Sequence, residues 1–162
     1  MFILHTHKIN QEIGDILIYR SVGSDSNRNT SFKLHKTIIY DRQADAIICH
    51  RNLNELKKHT FGRVHIPPFI VSLKGKTVHV EMEYIKGTHL ASHEMQIIYE
   101  DCVLKEGDFT ITNYTHTNFI REVDTDKIYY VDLEDVGEME LEERKKIFKK
   151  DYRNTPIVKY PY

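Results

Sequence analysis

A chain of 162 residues can bury one core but is small for a complete two-lobed enzyme. Lys plus Arg number 23 against 24 for Asp plus Glu, so no net charge draws it to nucleic acid or to a membrane surface. Cys49 and Cys102 are its only cysteines, no apolar run approaches a membrane span and the N-terminus lacks a signal-peptide pattern, so the sequence reads as cytoplasmic without a disulfide framework.

Residues 2–7 (FILHTH) and 16–22 (ILIYRSV) are apolar, β-rich runs separated by a polar segment that contains Gly14. A polar turn at 23–29 leads into a third strand at about 31–40, where Leu34, Lys36 and Ile38 share a face by the period of two. Lys33 and Lys36 both lie on it, and each also reads as a solvated strand lysine. Asp41 can cap a helix to about residue 59, with Ala44, Ile47, Ile48, Leu53 and Leu56 as its apolar set and Gly62 beyond its end. On spacing alone Glu55 is a solvated residue of that helix.

Pro67-Pro68 breaks the chain before a strand at 69–73, a Lys-Gly-Lys turn and a strand at 77–84. This hairpin runs into Met82-Glu83-Tyr84-Ile85-Lys86-Gly87-Thr88-His89-Leu90, which also reads as an edge strand ending at a glycine turn. Ser92 can cap a helix through about residue 106, with Met95, Ile98, Tyr99, Cys102 and Val103 at helical spacing. After Gly137 one charged helix remains, roughly 140–152, followed by a polar tail.

Residues 113–134 (NYTHTNFIREVDTDKIYYVDLE) carry the densest pattern. Two β-patterned segments, 117–122 and 127–132, are joined by the turn Val123-Asp124-Thr125-Asp126. Ile128, Tyr130 and Asp132 share one face, and Tyr129 and Val131 the other. A hairpin here brings Asn118, entering the first strand, back to Asp132, leaving the second. An amide oxygen and a carboxylate then meet at one spot. Mg2+ prefers such ligands, with one or two carboxylates and phosphate oxygens completing its shell. The outline is that of a phosphate-handling site.

The same residues resemble the catalytic centre of the protein kinase-like superfamily. The similarity is closest to small atypical kinases: the aminoglycoside and choline kinases, and the small kinase of the tRNA threonylcarbamoylation complex. These enzymes use a D-x-x-x-x-N loop followed by two apolar residues, then a hairpin leading to a second, metal-holding Asp. Asn113 through Ile120 is similar to that loop, and Tyr130-Val131-Asp132-Leu133-Glu134 to the metal-Asp segment. Asn113 stands where the family carries its catalytic Asp. The resemblance implies Asn118 and Asp132 as metal ligands, Lys36 as the lysine on the α/β-phosphates and Glu55 as its helix partner. Gly14 would lie in the phosphate-covering turn, and Met82 would line the adenine pocket while the backbones of Glu83 and Ile85 bond the base.

The implied fold is α+β and protein kinase-like, a single minimal domain. An N-terminal antiparallel sheet of about five strands with one helix (1–85) precedes a reduced C-lobe (86–162) of a helix, the hairpin and a terminal helix. Leu90 to Asn113 is shorter than the family usually shows, and the large helical C-lobe that binds peptide substrate is absent.

Phosphoryl transfer needs alignment and charge neutralisation more than covalent help. Asn113 cannot take a proton at neutral pH, and a general base contributes roughly 100- to 10,000-fold. Asp108 opens a second frame: Gly107-Asp108-Phe109-Thr110-Ile111-Thr112-Asn113 is similar to H-G-D-x-x-x-x-N, with Asn113 as the metal Asn. It restores the acid but lengthens the hairpin to Asp132 by about five residues and places Tyr114-Thr115 after the Asn. His5 with His7, and His79 with Glu81, lie on strand faces as ordinary histidines or as a transition-metal pair. Two readings of function follow. One is a kinase-like phosphotransferase binding MgATP, acting on protein Ser/Thr or on a small molecule. The other is a catalytically impaired pseudokinase that holds nucleotide or a protein partner.

Overall fold

The computed structural model describes residues 17–21 and 31–155. The run at 2–7, Gly14 and the tail after 155 lie outside them. The described residues fold as α+β, and by their contacts they divide into two units, those up to residue 55 with 67–84 and residues 56–66 with those from 85 onward.

In the first unit the alternation of strand β2 (Ser31–Ile39) decides what is buried. Lys36, Ile38 and Tyr40 are buried, and the residues between them are half-buried. Strand β5 (Thr77–Glu83) lies antiparallel to β2, with Leu34 opposite Met82, Lys36 opposite Val80 and Ile38 opposite Val78. One face therefore carries an apolar stripe of Ile38, Val78, Val80 and Met82 with a lysine set into it. Strands β1 (Leu17–Ser21) and β4 (Phe69–Lys74) flank the pair, giving the antiparallel order β1-β2-β5-β4. Four strands are thus described of the five expected, the remaining candidate being 2–7.

Helix α1 (Gln43–Leu56) departs from its expected phase. It buries Ala46, Cys49, Leu53 and Leu56, whereas Ala44, Ile47 and Ile48 are exposed. Ala46 and Cys49 lie one heptad before Leu53 and Leu56, so the two leucines set the buried stripe and rotate the isoleucines away from it. The helix also starts without Asp41. The Arg42 carbonyl accepts from Asp45 and Ala46, and the Arg42 side chain pairs with Asp45 at 2.9 Å.

In the second unit strands β8 (Phe119–Glu122) and β9 (Ile128–Tyr130) form the expected hairpin, with Asp126 at φ 60° in its turn. Two short strands extend it beyond the sequence reading. β6 (Gly87–His89) pairs antiparallel with β8, and β3 (Val64–His65) lies parallel to β9, giving the order β3-β9-β8-β6. A separate ladder joins β7 (Phe109–Ile111) to β10 (Val136–Glu138).

The helix expected at 92–106 is shorter and changes pitch along its length. A 3-10 turn at Ser92–Glu94 leads into α2 (Met95–Ile98), and a π turn follows at Tyr99–Val103. It closes with Leu104 N–H bonding the Tyr99 carbonyl, five residues back. Glu94 supplies the start instead of Ser92, its Oε1 accepting the Ala91 N–H at 2.9 Å. Met95, Ile98, Cys102 and Val103 are buried as the spacing predicts. The terminal helix α3 (Leu141–Arg153) carries acids in its first turn and bases in its last, complementing its dipole. Among the described residues no helix is long and apolar enough to cross a membrane.

Candidate functional site

Two strand ladders of the second unit pin the same two connecting segments. The β8–β9 register, Phe119 opposite Tyr130, continues into Val131 N–H donating to the Asn118 carbonyl at 2.8 Å. The β7–β10 register, Ile111 opposite Val136, continues into Thr112 N–H donating to the Asp135 carbonyl at 2.8 Å. The loop 113–118 and the segment 131–135 are thus each held at both ends and lie side by side. Asn113, Asn118 and Asp132, expected at one site, all lie on these two segments.

The side chains on them are unusually polar for their burial. Asn118 is 5% exposed, Asp132 7%, Glu134 5% and Asp135 3%. A cluster of buried carboxylates is costly unless hydrogen bonds or cations compensate it, so Glu134 and Asp135 are not the solvated turn residues their position on a polar stretch predicts. Asn118 Nδ2 donates to the Asn113 carbonyl at 3.4 Å, which leaves its Oδ1 as the oxygen available to a cation. Asn113 Oδ1 accepts from both the N–H and the hydroxyl of Thr115, at 3.0 and 2.7 Å, while its Nδ2 donates to Asp135 Oδ2 at 3.2 Å. Asp135 is itself held by its backbone, its N–H donating to the Tyr130 hydroxyl at 3.2 Å.

Beneath the loop, Tyr114 is fully buried and its ring meets Phe148 of α3 at 6.0 Å. The Tyr114 N–H donates to the Asp151 carboxylate at 2.9 Å. Burial pushes the Asp151 carboxyl above its usual range, the bond from Tyr114 opposing it in part. Burial likewise lowers His116, with the neighbouring His89 ring adding to the effect.

The other expected residues are placed as follows. Lys36 is 5% exposed in the centre of the first unit's sheet, and Glu55, in the same unit, is half-buried near the end of α1. Met82 is buried in the apolar stripe opposite Leu34. Glu83 is exposed, with its N–H on the Pro68 carbonyl at 3.1 Å, and Ile85 is buried in the second unit. Asp108 is exposed at the entrance of β7, its carbonyl accepting from Met139 N–H at 2.7 Å, with the strand between it and Asn113. Gly14, His5 and His7 lie outside the described residues. His79 approaches the Thr37 hydroxyl at 3.4 Å and the His35 ring at 5.8 Å. Among the described residues no group of three or more His, Cys, Asp and Glu side chains is arranged to hold a metal ion.

Asp151 is the polar residue that sequence reasoning left out, and Asp135 the one it placed in solvent. Asp135 could have been found from the β7–β10 pairing, which sets it beside Thr112. Asp151 had no such signal, because a carboxylate in a charged helix reads as solvated. No protein-family model matches this sequence, and a search of curated proteins finds no relative.

Proposed function

We propose that the chain is a kinase-like phosphotransferase that binds MgATP and transfers its terminal phosphoryl group to a hydroxyl, with protein Ser/Thr as the first acceptor class to test. The observation carrying this reading is the 2.8 Å bond from Val131 N–H to the Asn118 carbonyl. It sets a buried amide and a buried carboxylate, Asn118 and Asp132, at the meeting ends of one hairpin. Two protein oxygens are too few for a self-sufficient metal site. They suit a cation that takes its remaining ligands from phosphate and water, as Mg2+ does. In this reading Asn118 Oδ1 and the Asp132 carboxylate hold Mg2+, and bound MgATP supplies the transferable phosphoryl group. The roles of Lys36 on the phosphates, Glu55 as its partner, and Gly14, Met82, Glu83 and Ile85 on the nucleotide rest on the resemblance of their motifs.

A second reading, a pseudokinase that binds nucleotide or a protein without catalysis, is favoured by Asn113. Both ends of its amide are already hydrogen-bonded within the protein, and an amide takes no proton at neutral pH.

Thermal unfolding with and without MgATP, in the parent and in Asp132→Ala, tests the nucleotide site that the first reading requires and the second allows. Ligand at about 100 times its dissociation constant adds roughly 2.7 kcal/mol, or several degrees at about 2–4 °C per kcal/mol for a chain of this size. A magnesium-dependent shift that Asp132→Ala abolishes supports both readings, and transfer of labelled phosphate then selects the first. No shift at millimolar MgATP sinks the first reading and leaves the second only in its protein-binding form.

A further inference from the structure

The outward face of the first unit's sheet carries two histidines at diagonal positions. His35 on β2 stands opposite Glu81 of β5, and Thr37, two residues on, stands opposite His79. Both histidines therefore lie on the face away from the buried stripe of Lys36, Ile38, Val78 and Val80, and both are half-buried. Diagonal neighbours across a ladder are within reach of ring side chains. Here the two imidazole centroids are 5.8 Å apart, with their planes inclined at 51°. On the far side of β5, Ser72 of β4 stands beside His79 and is exposed. The rings thus border water and not the core.

Two imidazoles that bind one Zn2+ through nitrogens at about 2.0–2.1 Å hold their centroids roughly 5–6 Å apart. The observed separation falls in that range, so rotation of the rings suffices to turn a nitrogen of each toward a shared ion. A ligating histidine also engages its second nitrogen with a hydrogen-bonding group that fixes the ring. His79 has such a group, its Nδ1 lying 3.4 Å from the Thr37 hydroxyl, which leaves Nε2 for a cation.

From this we infer that His35 and His79 form a binding site for a divalent transition metal of the class that prefers imidazole, with Zn2+ as the ion to test. Two protein ligands leave the other coordination positions to water or to a second molecule, so the site is open. Glu81, on the same face, is not required as a ligand. The inference is independent of the phosphotransferase reading, which puts Mg2+ on oxygen ligands of the second unit.

Titration of the parent, His35→Asn, His79→Asn and His89→Asn with Zn2+ at neutral pH, without nucleotide, tests it. The chain has ten histidines, so the comparison among variants is what reads the site. His89, whose ring meets that of His116 at 6.3 Å in the second unit, supplies the control. The parent should bind one equivalent of Zn2+ at this face. His35→Asn and His79→Asn should each weaken that binding at least about tenfold, and His89→Asn should leave it unchanged. The rise in melting temperature that Zn2+ gives the parent should vanish in the same two variants. In the parent's NMR spectrum the ring resonances of His35 and His79 should be the first to shift, which reads the site even where a variant fails to fold.

No binding by the parent at millimolar Zn2+ overturns the inference, as does binding that His35→Asn and His79→Asn leave intact. First shifts on the rings of other histidines overturn it too. Failure of MgATP to bind counts against the phosphotransferase reading alone, since neither histidine takes part in it.

Discussion

The carboxylate of Asp151 on α3 accepts the backbone N–H of Tyr114 at 2.9 Å, tying the terminal helix to the loop that carries Asn113 and Asn118. Around this bond Phe148 meets Tyr99 at 5.0 Å and Tyr114 at 6.0 Å, and stacks with Tyr152 at 5.9 Å. The last helix is thus a brace beneath the candidate site. Asp151→Ala removes the acceptor and leaves the Tyr114 N–H unpaired, at a cost of about 1–3 kcal/mol. Asp151→Asn keeps an acceptor oxygen and removes the buried charge, so it should melt at or slightly above the parent at neutral pH.

The pH dependence of that comparison has a definite sign. Burial raises the folded-state value of Asp151 above its ordinary 3.8, so its contribution to stability is fully present below 3.8 and is lost as pH rises through the folded value. The advantage of Asp151→Asn over the parent should therefore be largest at neutral pH and vanish as pH falls toward 3.8. Melting curves of the two proteins across that range check this. An advantage that grows on acidification would refute the assignment.

Gly87 belongs to the motif that resembles a kinase hinge, yet the second unit gives it a separate reason to be glycine. A Cβ at this position would lie 1.9 Å from the Arg121 carbonyl oxygen, a backbone atom of the neighbouring strand that cannot swing aside. Gly87→Ala must therefore break the β6–β8 pairing, at about 3 kcal/mol, the upper end for overpacking. That corresponds to a fall of roughly 6–12 °C at about 2–4 °C per kcal/mol. A shift within a degree of the parent would show that β6 does not pair as described.

How much of this was legible in the sequence varies with the length of each element. The β2 alternation through Lys36 and Ile38, the 117–132 hairpin and the terminal helix all follow from periods sustained over several residues. Strands β3 and β6 escaped because two or three residues set no period and their partners are remote in sequence. Glu134 and Asp135 were misjudged for a related reason. Residues 132–137 are buried without interruption, because the chain there passes from one ladder to another and the rule of alternating faces does not apply. The error in α1 differs in kind. Its isoleucines are more apolar than Ala46 and Cys49, but helical geometry follows Leu53 and Leu56.

The Asp101 carboxylate binds Arg63 twice, accepting its backbone N–H at 2.8 Å and its guanidinium at 2.8 Å, and Gly62 makes the approach possible. Gly62 adopts φ +59°, and a Cβ there would lie 2.8 Å from the Asp101 carboxylate carbon. Gly62→Ala should therefore cost about 1–2 kcal/mol for the left-handed conformation, with further loss as the carboxylate is displaced. The side chain of Asp101 is 16% exposed and that of Arg63 56%, so solvent weakens the ion pair itself. Asp101→Asn should lower the melting temperature by a few degrees at most. Arg63 holds the Asp101 carboxyl below its ordinary 3.8, so the stability it confers is present above 3.8 and is lost as pH falls through the lower folded value. Asp101→Asn and the parent should differ at pH 7 and converge in acid, whereas Gly62→Ala should stay destabilised at both, because backbone strain does not titrate. If Gly62→Ala instead converged with the parent in acid, the carboxylate contact, and not the backbone, would be what requires glycine at this position.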